Sequence, residues 1–182
     1  MSEATATAAA ITRPEPGEYG AYYAGYISQV PDGDVVDLLR TQIRETLALL
    51  AGIPEGRAGH RYAPGKWSIR EVVGHMCDVE RIMAYRALRI ARSDRTPLPG
   101  FDENAYVPAA NFDARTLDAL AREFEAVRHA TVAFLETLDA EAAARRGTAN
   151  NLELSARAIA YIIAGHERHH VKILRERYLK EL

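Results

Sequence analysis

One long helix is predicted by the segment IAYIIAGHERHHVKILRER, residues 159–177, and its pattern sets the architecture of the whole chain. The apolar stripe of this helix contains Ile159, Ile162, Ile163, Ile173 and Leu174. His166 and His170 fall in the middle of that stripe, four residues apart and therefore one turn apart on the same face. A buried imidazole needs partners for both ring nitrogens, because an unpaired buried polar group costs roughly 1–3 kcal/mol. Two histidines in such a stripe favour a bound divalent metal ion.

Three more amphipathic helices precede this one and indicate an all-α four-helix bundle. Asp34 is a good N-cap for the first, and Ser68 with Glu71 forms a capping box at the start of the second. The three helices are predicted at residues 34–52, 68–92 and 116–138. The residues around 147–151 interrupt the chain before the last helix, and no alternating strand pattern or internal repeat is present.

The 182 residues are enough for one well-buried domain, which we predict at residues 19–182. Residues 1–18 are rich in Ala and Thr and predict a flexible tail. The tyrosines between residues 19 and 26 are expected to pack across the domain as coil or a short helix. The connection at residues 93–113 is long for a bundle, and loops of that length are often functional or lid-like.

The composition excludes several classes of function. A net charge of -2 and a pI near 6.3 argue against a nucleic-acid-binding surface, which needs clustered Lys and Arg. No apolar run is long enough to span a bilayer, and no secretory leader pattern is present at the start, so we expect no membrane partner. The single cysteine cannot form an intrachain disulfide, and we expect a reducing, cytoplasmic location.

A third inward histidine lies on the second predicted helix. At 100° per residue, Val72 and Val79 lie within about 60° of His75, so this side chain also points at the core. A lone core histidine is usually structural, but the pair on the last helix changes that expectation. Three inward histidines on two helices match a tri-imidazole metal site with an open position. We therefore predict His75, His166 and His170 as metal ligands.

Three residues near the predicted ligands are expected to lie outside the metal site or to have another role. His169 is rotated about 100° from its neighbour, so we place it behind the site or on the surface and do not count it as a ligand. Asp78 can orient an imidazole, bind the metal or accept a proton, but a salt bridge with Arg81 or Arg70 is the favoured interpretation. Cys77 lies about 200° from the nearest inward histidine and is expected to be a small packing residue.

Four other charged or histidine residues are not expected to bind the metal. Arg86 lies on the side of His75, but eleven residues on it is about 16 Å further along the axis. It is therefore predicted to line a deep pocket or to hold the long loop. Glu80 is expected to pair with a basic neighbour, and His60 and His129 are expected to be ordinary surface or loop histidines. The sequence assigns no catalytic acid or base.

A family resemblance is carried by PGKWSIREVVGHMCDVERIMAYRALRIARSDRTPLPGFDENAY, residues 64–106, and by the run HERHH, residues 166–170. With the opening segment YISQVPDGD, residues 26–34, they resemble the DinB-like and YfiT-like metal-dependent hydrolases over nearly the whole chain after the tail. The resemblance implies an up-down-down-up four-helix bundle, often a homodimer, with the three histidines as ligands. Zinc or nickel is usual in such proteins, and manganese and iron are the alternatives. The family name gives no support for DNA binding.

Three hypotheses about function stay open. The leading one is a hydrolase-like metal-dependent enzyme in which the ion activates water or a thiol against a small-molecule substrate. The resemblance also includes S-transferases and isomerases that use a low-molecular-weight thiol such as bacillithiol or mycothiol. The third is a non-catalytic stress-response bundle that binds a metal or ligand through a closed coordination sphere, with a fourth ligand such as Asp78 or a loop carboxylate. If the histidines are merely core residues, no metal binds.

Overall fold

A computed structural model describes residues 10–180, and within that range the chain folds into seven α-helices and one small antiparallel sheet. The helices are α1 (Ala24–Ile27), α2 (Val35–Ala51), α3 (Ile69–Ala91), α4 (Glu103–Ala110), α5 (Leu117–Leu135), α6 (Ala140–Ala144) and α7 (Ala156–Ile173). The strands are β1 (Arg146–Ala149) and β2 (Leu152–Ser155). The four long helices α2, α3, α5 and α7 pack as a bundle, which confirms the predicted fold class.

The direction of α5 follows from its contacts with α2. Arg40, near the start of α2, pairs with Glu136 just beyond the end of α5. Glu55, which follows α2, accepts a hydrogen bond of 3.0 Å from the backbone N–H of Leu117 at the start of α5. These two helices are therefore antiparallel.

The directions of α3 and α7 complete the topology. Cys77 in the first half of α3 meets Leu120 in the first half of α5, so these two helices are parallel. His75 in the first half of α3 meets His170 near the end of α7, with 4.9 Å between ring centroids, so these two are antiparallel. The order along the chain is up-down-down-up, as the family resemblance implied.

The helices begin at capping residues. Asp34 accepts a hydrogen bond of 3.0 Å from the backbone N–H of Val36, and Ser68 and Glu71 form the predicted capping box. The last helix begins at residue 156, three residues before the segment that predicted it, because Ser155 provides its cap. Local capping chemistry therefore sets these boundaries.

The interruption before α7 is a β-hairpin, which the sequence pattern did not predict. Asn150 and Asn151 form its two-residue turn with φ angles of 51° and 60°, the left-handed values that a tight hairpin turn requires. The backbone N–H of Leu98 donates to the carbonyl of Thr148 at 2.9 Å and fastens the long loop to the hairpin. The loop itself contains α4 and a short 3₁₀ turn at Phe112–Ala114.

The flexible tail predicted for residues 1–18 is wrong for its last part, while residues 1–9 lie outside the described range. Ile11 is in the apolar core, and its backbone N–H donates to Asp34 at 3.3 Å. Arg13 donates to the carbonyl of Ile27 at 3.1 Å and pairs with Asp32 at 2.7 Å, and the buried Glu18 forms an ion pair with the partly exposed Arg157. The Ala- and Thr-rich composition of this segment gave no indication that Ile11 is buried or that Arg13 and Glu18 form ion pairs.

The apolar core has two parts with a layer of polar side chains between them. On α5, Phe124 belongs to one part and Val132 to the other, with Arg128 between them. Ala164 on α7 and Leu174 just after its end also belong to different parts, with His166, Glu167 and His170 between them. The layer contains eight buried residues: Gln42, Thr46, His75, Glu80, Arg128, His166, Glu167 and His170. None of the helices in residues 10–180 is long and apolar enough to cross a membrane.

Candidate metal centre

The three predicted histidines converge inside the bundle. His75 Nε2 and His170 Nε2 each lie 3.1 Å from His166 Nε2, and all three side chains are buried. A nitrogen of a neutral imidazole carries either one hydrogen or one lone pair, so His166 Nε2 makes one good hydrogen bond and not two. Within residues 10–180, His170 Nδ1 has no hydrogen-bond partner. Hydrogen bonding among the rings therefore does not account for this arrangement.

Two separations within the cluster, both from His166 Nε2, fit a shared cation. Two nitrogens bound at about 2.0–2.1 Å to one ion lie roughly 2.9 Å apart at a right angle and 3.4 Å apart at a tetrahedral angle. The observed separations of 3.1 Å fall in this interval. The cluster of potential ligand atoms consists of these three histidines, with no carboxylate or thiol among the described residues joining it. Three protein ligands leave at least one position of a four-coordinate ion open.

Burial keeps the three imidazoles uncharged, which is the form that binds metal. Burial, with a smaller contribution from the nearby His169, lowers the pKa of His75 to about 4. The pKa values of His166 and His170 lie well below the ordinary value, because burial and the neighbouring histidines both oppose a positive charge. At neutral pH all three rings therefore present a lone pair without first losing a proton.

A buried arginine connects the two helices that carry the histidines. Arg128 on α5 donates to both carboxylate oxygens of Glu80 on α3, at 2.8 and 2.7 Å, and to Glu167 on α7 at 2.7 Å. Burial opposes its charge, but the two carboxylates outweigh burial and raise the pKa of Arg128. The predicted basic partner of Glu80 is thus a residue on another helix. This bridge links α3 and α7 next to the histidine cluster, because Glu167 directly follows His166.

Helix α2 completes the network around Glu167. Gln42 Nε2 and Thr46 Oγ1 donate to its two carboxylate oxygens at 2.7 and 2.6 Å. The burial of Glu167 and Arg128 was not predicted from the sequence. A signal for the arginine existed, because Arg128 lies four residues after Phe124 and so on the same apolar face of α5.

Aromatic rings enclose the histidines on two sides. Trp67 lies 4.7 Å from His75 and Tyr26 lies 5.6 Å from His166, measured between ring centroids. Helix α1 approaches α7 this closely because residue 165 is glycine. A Cβ at Gly165 would lie 3.0 Å from the Cα of Tyr26 and still closer to its carbonyl group. Burial and the neighbouring tyrosines raise the pKa of Tyr26 to about 12.

The other residues considered as possible site residues lie outside the histidine cluster. Asp78 forms the favoured ion pair with Arg81 at 3.8 Å, and burial raises its pKa. Cys77 is fully buried against α5, and burial raises the pKa of its thiol to about 12, as expected of a packing residue. His169 is half-buried with its ring 5.4 Å from that of Tyr26, which matches its predicted place behind the site. His129 is exposed.

A small pocket of about 110 Å³ opens beside the histidines. His75 and His166 form part of its wall, and Arg86, Glu103 and Asn150 are its other polar residues with ionisable or amide groups. The remaining wall is aromatic or aliphatic: Tyr22, Tyr23, Tyr26, Val79, Met83, Phe101 and Ile162. Both alternatives predicted for Arg86 are confirmed, because it lines this pocket and its Nη2 donates to the carbonyl of Pro99 in the long loop at 2.6 Å.

Residues 38–174 match the family model of the DinB superfamily. The chain belongs to the DinB superfamily. The resemblance found in the sequence is therefore confirmed, and the matched range contains all three clustered histidines. No curated protein sequence matches this DinB-superfamily chain significantly.

Two solved structures share the DinB-superfamily fold. YfiT from Bacillus subtilis, described as a probable metal-dependent hydrolase with an unusual four-helix bundle topology, is 15% identical with a TM-score of 0.65. That alignment covers 89% of this chain and 91% of YfiT. A mycothiol-dependent maleylpyruvate isomerase is 14% identical with a TM-score of 0.63, over 80% of this chain and 61% of the isomerase. At these identities the likeness establishes the fold alone.

Proposed function

We propose that this chain is a metal-dependent, hydrolase-like enzyme acting on a small molecule, with His75, His166 and His170 as the ligands of a divalent ion. Zinc or nickel is the proposed ion. The observation that carries the proposal is the convergence of three buried, uncharged imidazoles beside a pocket. The description of YfiT as a metal-dependent hydrolase supports it by analogy.

The residues around the pocket supply what hydrolysis needs. A divalent ion held by the three histidines would lower the pKa of a coordinated water or thiol towards neutrality and so supply a nucleophile. Glu103 is the one carboxylate in the described pocket wall, and in this proposal it accepts the proton that the nucleophile loses. Tyr26 stays protonated because of its raised pKa, so its hydroxyl can donate a hydrogen bond to developing negative charge. The aromatic wall limits access of bulk water.

A thiol-dependent S-transferase or isomerase is the second candidate. The fold neighbour that depends on mycothiol favours it, since the same bundle there serves a thiol reaction. In that case the nucleophile is a low-molecular-weight thiol and the acceptor is a carbon atom of the substrate. A non-catalytic metal-binding module is less well supported, because Asp78 pairs with Arg81 and no fourth protein ligand joins the histidines within residues 10–180.

Metal analysis tests the site directly. The protein is purified without chelators or nickel resin, and its metal content is measured by inductively coupled plasma mass spectrometry. About one divalent ion per chain is expected for the wild type and a background level for His166→Ala, because two ligands do not hold the ion. His129→Ala, which changes an exposed histidine outside the cluster, is the matched control. Equal metal content in all three proteins would contradict the proposal.

Substrate consumption separates the two chemistries. The metal-loaded protein is incubated with an activated ester or an alkylating electrophile, with and without cysteine or glutathione. Hydrolysis predicts consumption without thiol and a lower rate in Glu103→Gln, which retains the size of the side chain but not its basicity. Consumption only in the presence of thiol would replace the hydrolase assignment with the transferase.

A further inference from the structure

Arg86 is a buried cation without an anionic partner in the described chain. Its side chain projects from α3 into the pocket wall, and the residue is 3% exposed. Its Nη2 donates to the Pro99 carbonyl at 2.6 Å, and its Nη1 lies 3.7 Å from Met83 Sδ. Its guanidinium carbon lies 5.6 Å from the centroid of the Phe101 ring. These contacts are all with uncharged groups.

The second buried arginine of the bundle provides an internal comparison. Arg128 is matched by two carboxylates at 2.7–2.8 Å, Glu80 and Glu167, and they raise its pKa. Burial instead lowers the pKa of Arg86, opposed only by the phenol of Tyr23. Buried charges in proteins are normally paired, because an unpaired buried charge is costly. Arg128 is paired in this way, and Arg86 is not.

A bound ligand can supply the anionic partner that Arg86 lacks within the described chain. We propose that the pocket binds a small carboxylate-bearing substrate, whose carboxylate pairs with Arg86 while its apolar part lies between the aromatic side chains and the histidines. This inference rests on the proposed function for the reaction itself, but the anion site is defined by residues of the chain alone. The planar guanidinium suits two-point recognition of a carboxylate.

The dimensions and charges of the pocket narrow the class of substrate. A volume of about 110 Å³ is the room of roughly four water molecules, which suits a short-chain acid and leaves the bulk of a sugar-containing thiol outside. The apolar wall formed by Val79, Met83 and Ile162 suits an aliphatic or unsaturated chain. Glu103 is also in the wall, and its negative charge disfavours a second anionic group on the ligand.

The test compares butyrate with butyramide, its neutral counterpart of nearly the same shape. Metal-free protein is titrated with each compound at pH 8, above the ordinary pKa of imidazole, and binding is followed by ¹H–¹⁵N chemical-shift changes. Butyrate is expected to bind at least about 10-fold more tightly than butyramide, because its hydrogen bonds involve two charged partners. The shift changes should include backbone amides on α3 near residue 86 and in the loop at residues 99–103.

Two matched variants test whether Arg86 is responsible for the preference for butyrate. Arg86→Gln retains a donor for the Pro99 carbonyl but lacks the charge, and it should lose at least about 10-fold in butyrate affinity. Arg89→Gln is the control, because Arg89 lies on the same helix and pairs with Asp94 of the same loop but is not in this pocket wall. Its butyrate affinity should equal that of the wild type.

Two results would overturn the inference. One is equal binding of butyrate and butyramide to the wild type, which needs no variant to fold. The other is butyrate affinity that is unchanged in a folded Arg86→Gln protein. Because the titration uses metal-free protein, a failed metal site leaves its outcome intact. A functional metal centre without preference for butyrate would refute this inference alone.

Discussion

Each buried histidine of the cluster should make the free energy of unfolding depend on pH. The unfolded chain binds protons on these residues near pH 6.5, whereas folded His75 has a pKa of about 4. Between those values the unfolded state binds more protons, so the free energy of unfolding of the metal-free protein falls as the pH is lowered from 6.5 towards 4. The slope is at most about 1.4 kcal/mol per pH unit for each buried histidine.

Urea unfolding of the metal-free protein between pH 7.5 and pH 4.5 measures this dependence. His75→Gln should have a shallower slope than the wild type, since one group no longer titrates. His129→Gln changes an exposed histidine and should retain the wild-type slope. Identical slopes in all three proteins would mean that burial does not depress the pKa of His75.

The histidine cluster was predictable at the residue level, but its surroundings were not. The i, i+4 spacing of His166 and His170 within an apolar stripe is a local signal, and the inward face of His75 follows from the helical period. The pocket depends on segments that are distant in sequence. Glu103 and Tyr26 reach it only because the long loop and helix α1 pack over the bundle. No local pattern encodes those contacts.

At the level of helices, the bridge through Arg128 governs how α3 and α7 pack. Arg128→Met should lower the free energy of unfolding by about 3–5 kcal/mol, because it leaves Glu80 and Glu167 buried without their counter-ion. Adding Glu80→Gln and Glu167→Gln should recover part of that loss, since the uncompensated charges are then removed. Urea unfolding at neutral pH measures both effects.

Arg122→Met on the same helix is the control for that comparison. Arg122 and Asp118 form an exposed ion pair at 2.6 Å, and such pairs contribute about 0–1 kcal/mol. A loss in Arg128→Met as small as in Arg122→Met would show that the buried bridge is not a major determinant of helix packing.

Helix boundaries were more predictable than the connections between helices. Asp34 and Ser68 act within a few residues, so their capping bonds can be inferred directly from the sequence. The hairpin at 146–155 has short strands, and it is held partly by Leu98 from the long loop. Residues 11–18 pack because of tertiary ion pairs and one buried isoleucine. Composition alone could not indicate either arrangement.

At the level of the whole molecule, the homodimer implied by the family resemblance stays a prediction. Size-exclusion chromatography with light scattering should give twice the chain mass of 20.1 kDa across a tenfold range of protein concentration. A mass of 20.1 kDa throughout that range would contradict the dimer and leave the proposed metal centre unaffected, since all three histidines belong to one chain.

Metal binding should stabilise the entire bundle, because the proposed ligands come from two helices that meet only in the folded state. An ion at 100 times its dissociation constant adds about 2.7 kcal/mol if it binds the folded state alone. For a domain of this size, that gain corresponds to a rise in Tm of roughly 5–11 °C. Differential scanning calorimetry of chelator-treated protein, with and without added Zn²⁺, measures the shift.

His170→Ala is the control for stabilisation by the metal ion. It removes the proposed ligand atom Nε2, whose one close partner is His166 Nε2 at 3.1 Å, while Nδ1 has no hydrogen-bond partner within residues 10–180. Little other than metal binding is therefore lost. The variant should fold and show a Tm that responds weakly or not at all to Zn²⁺. Mg²⁺ should have no effect on the wild type, because it prefers oxygen ligands. The same Zn²⁺-dependent rise in the variant would place the ion elsewhere and remove the physical basis for the proposed enzyme.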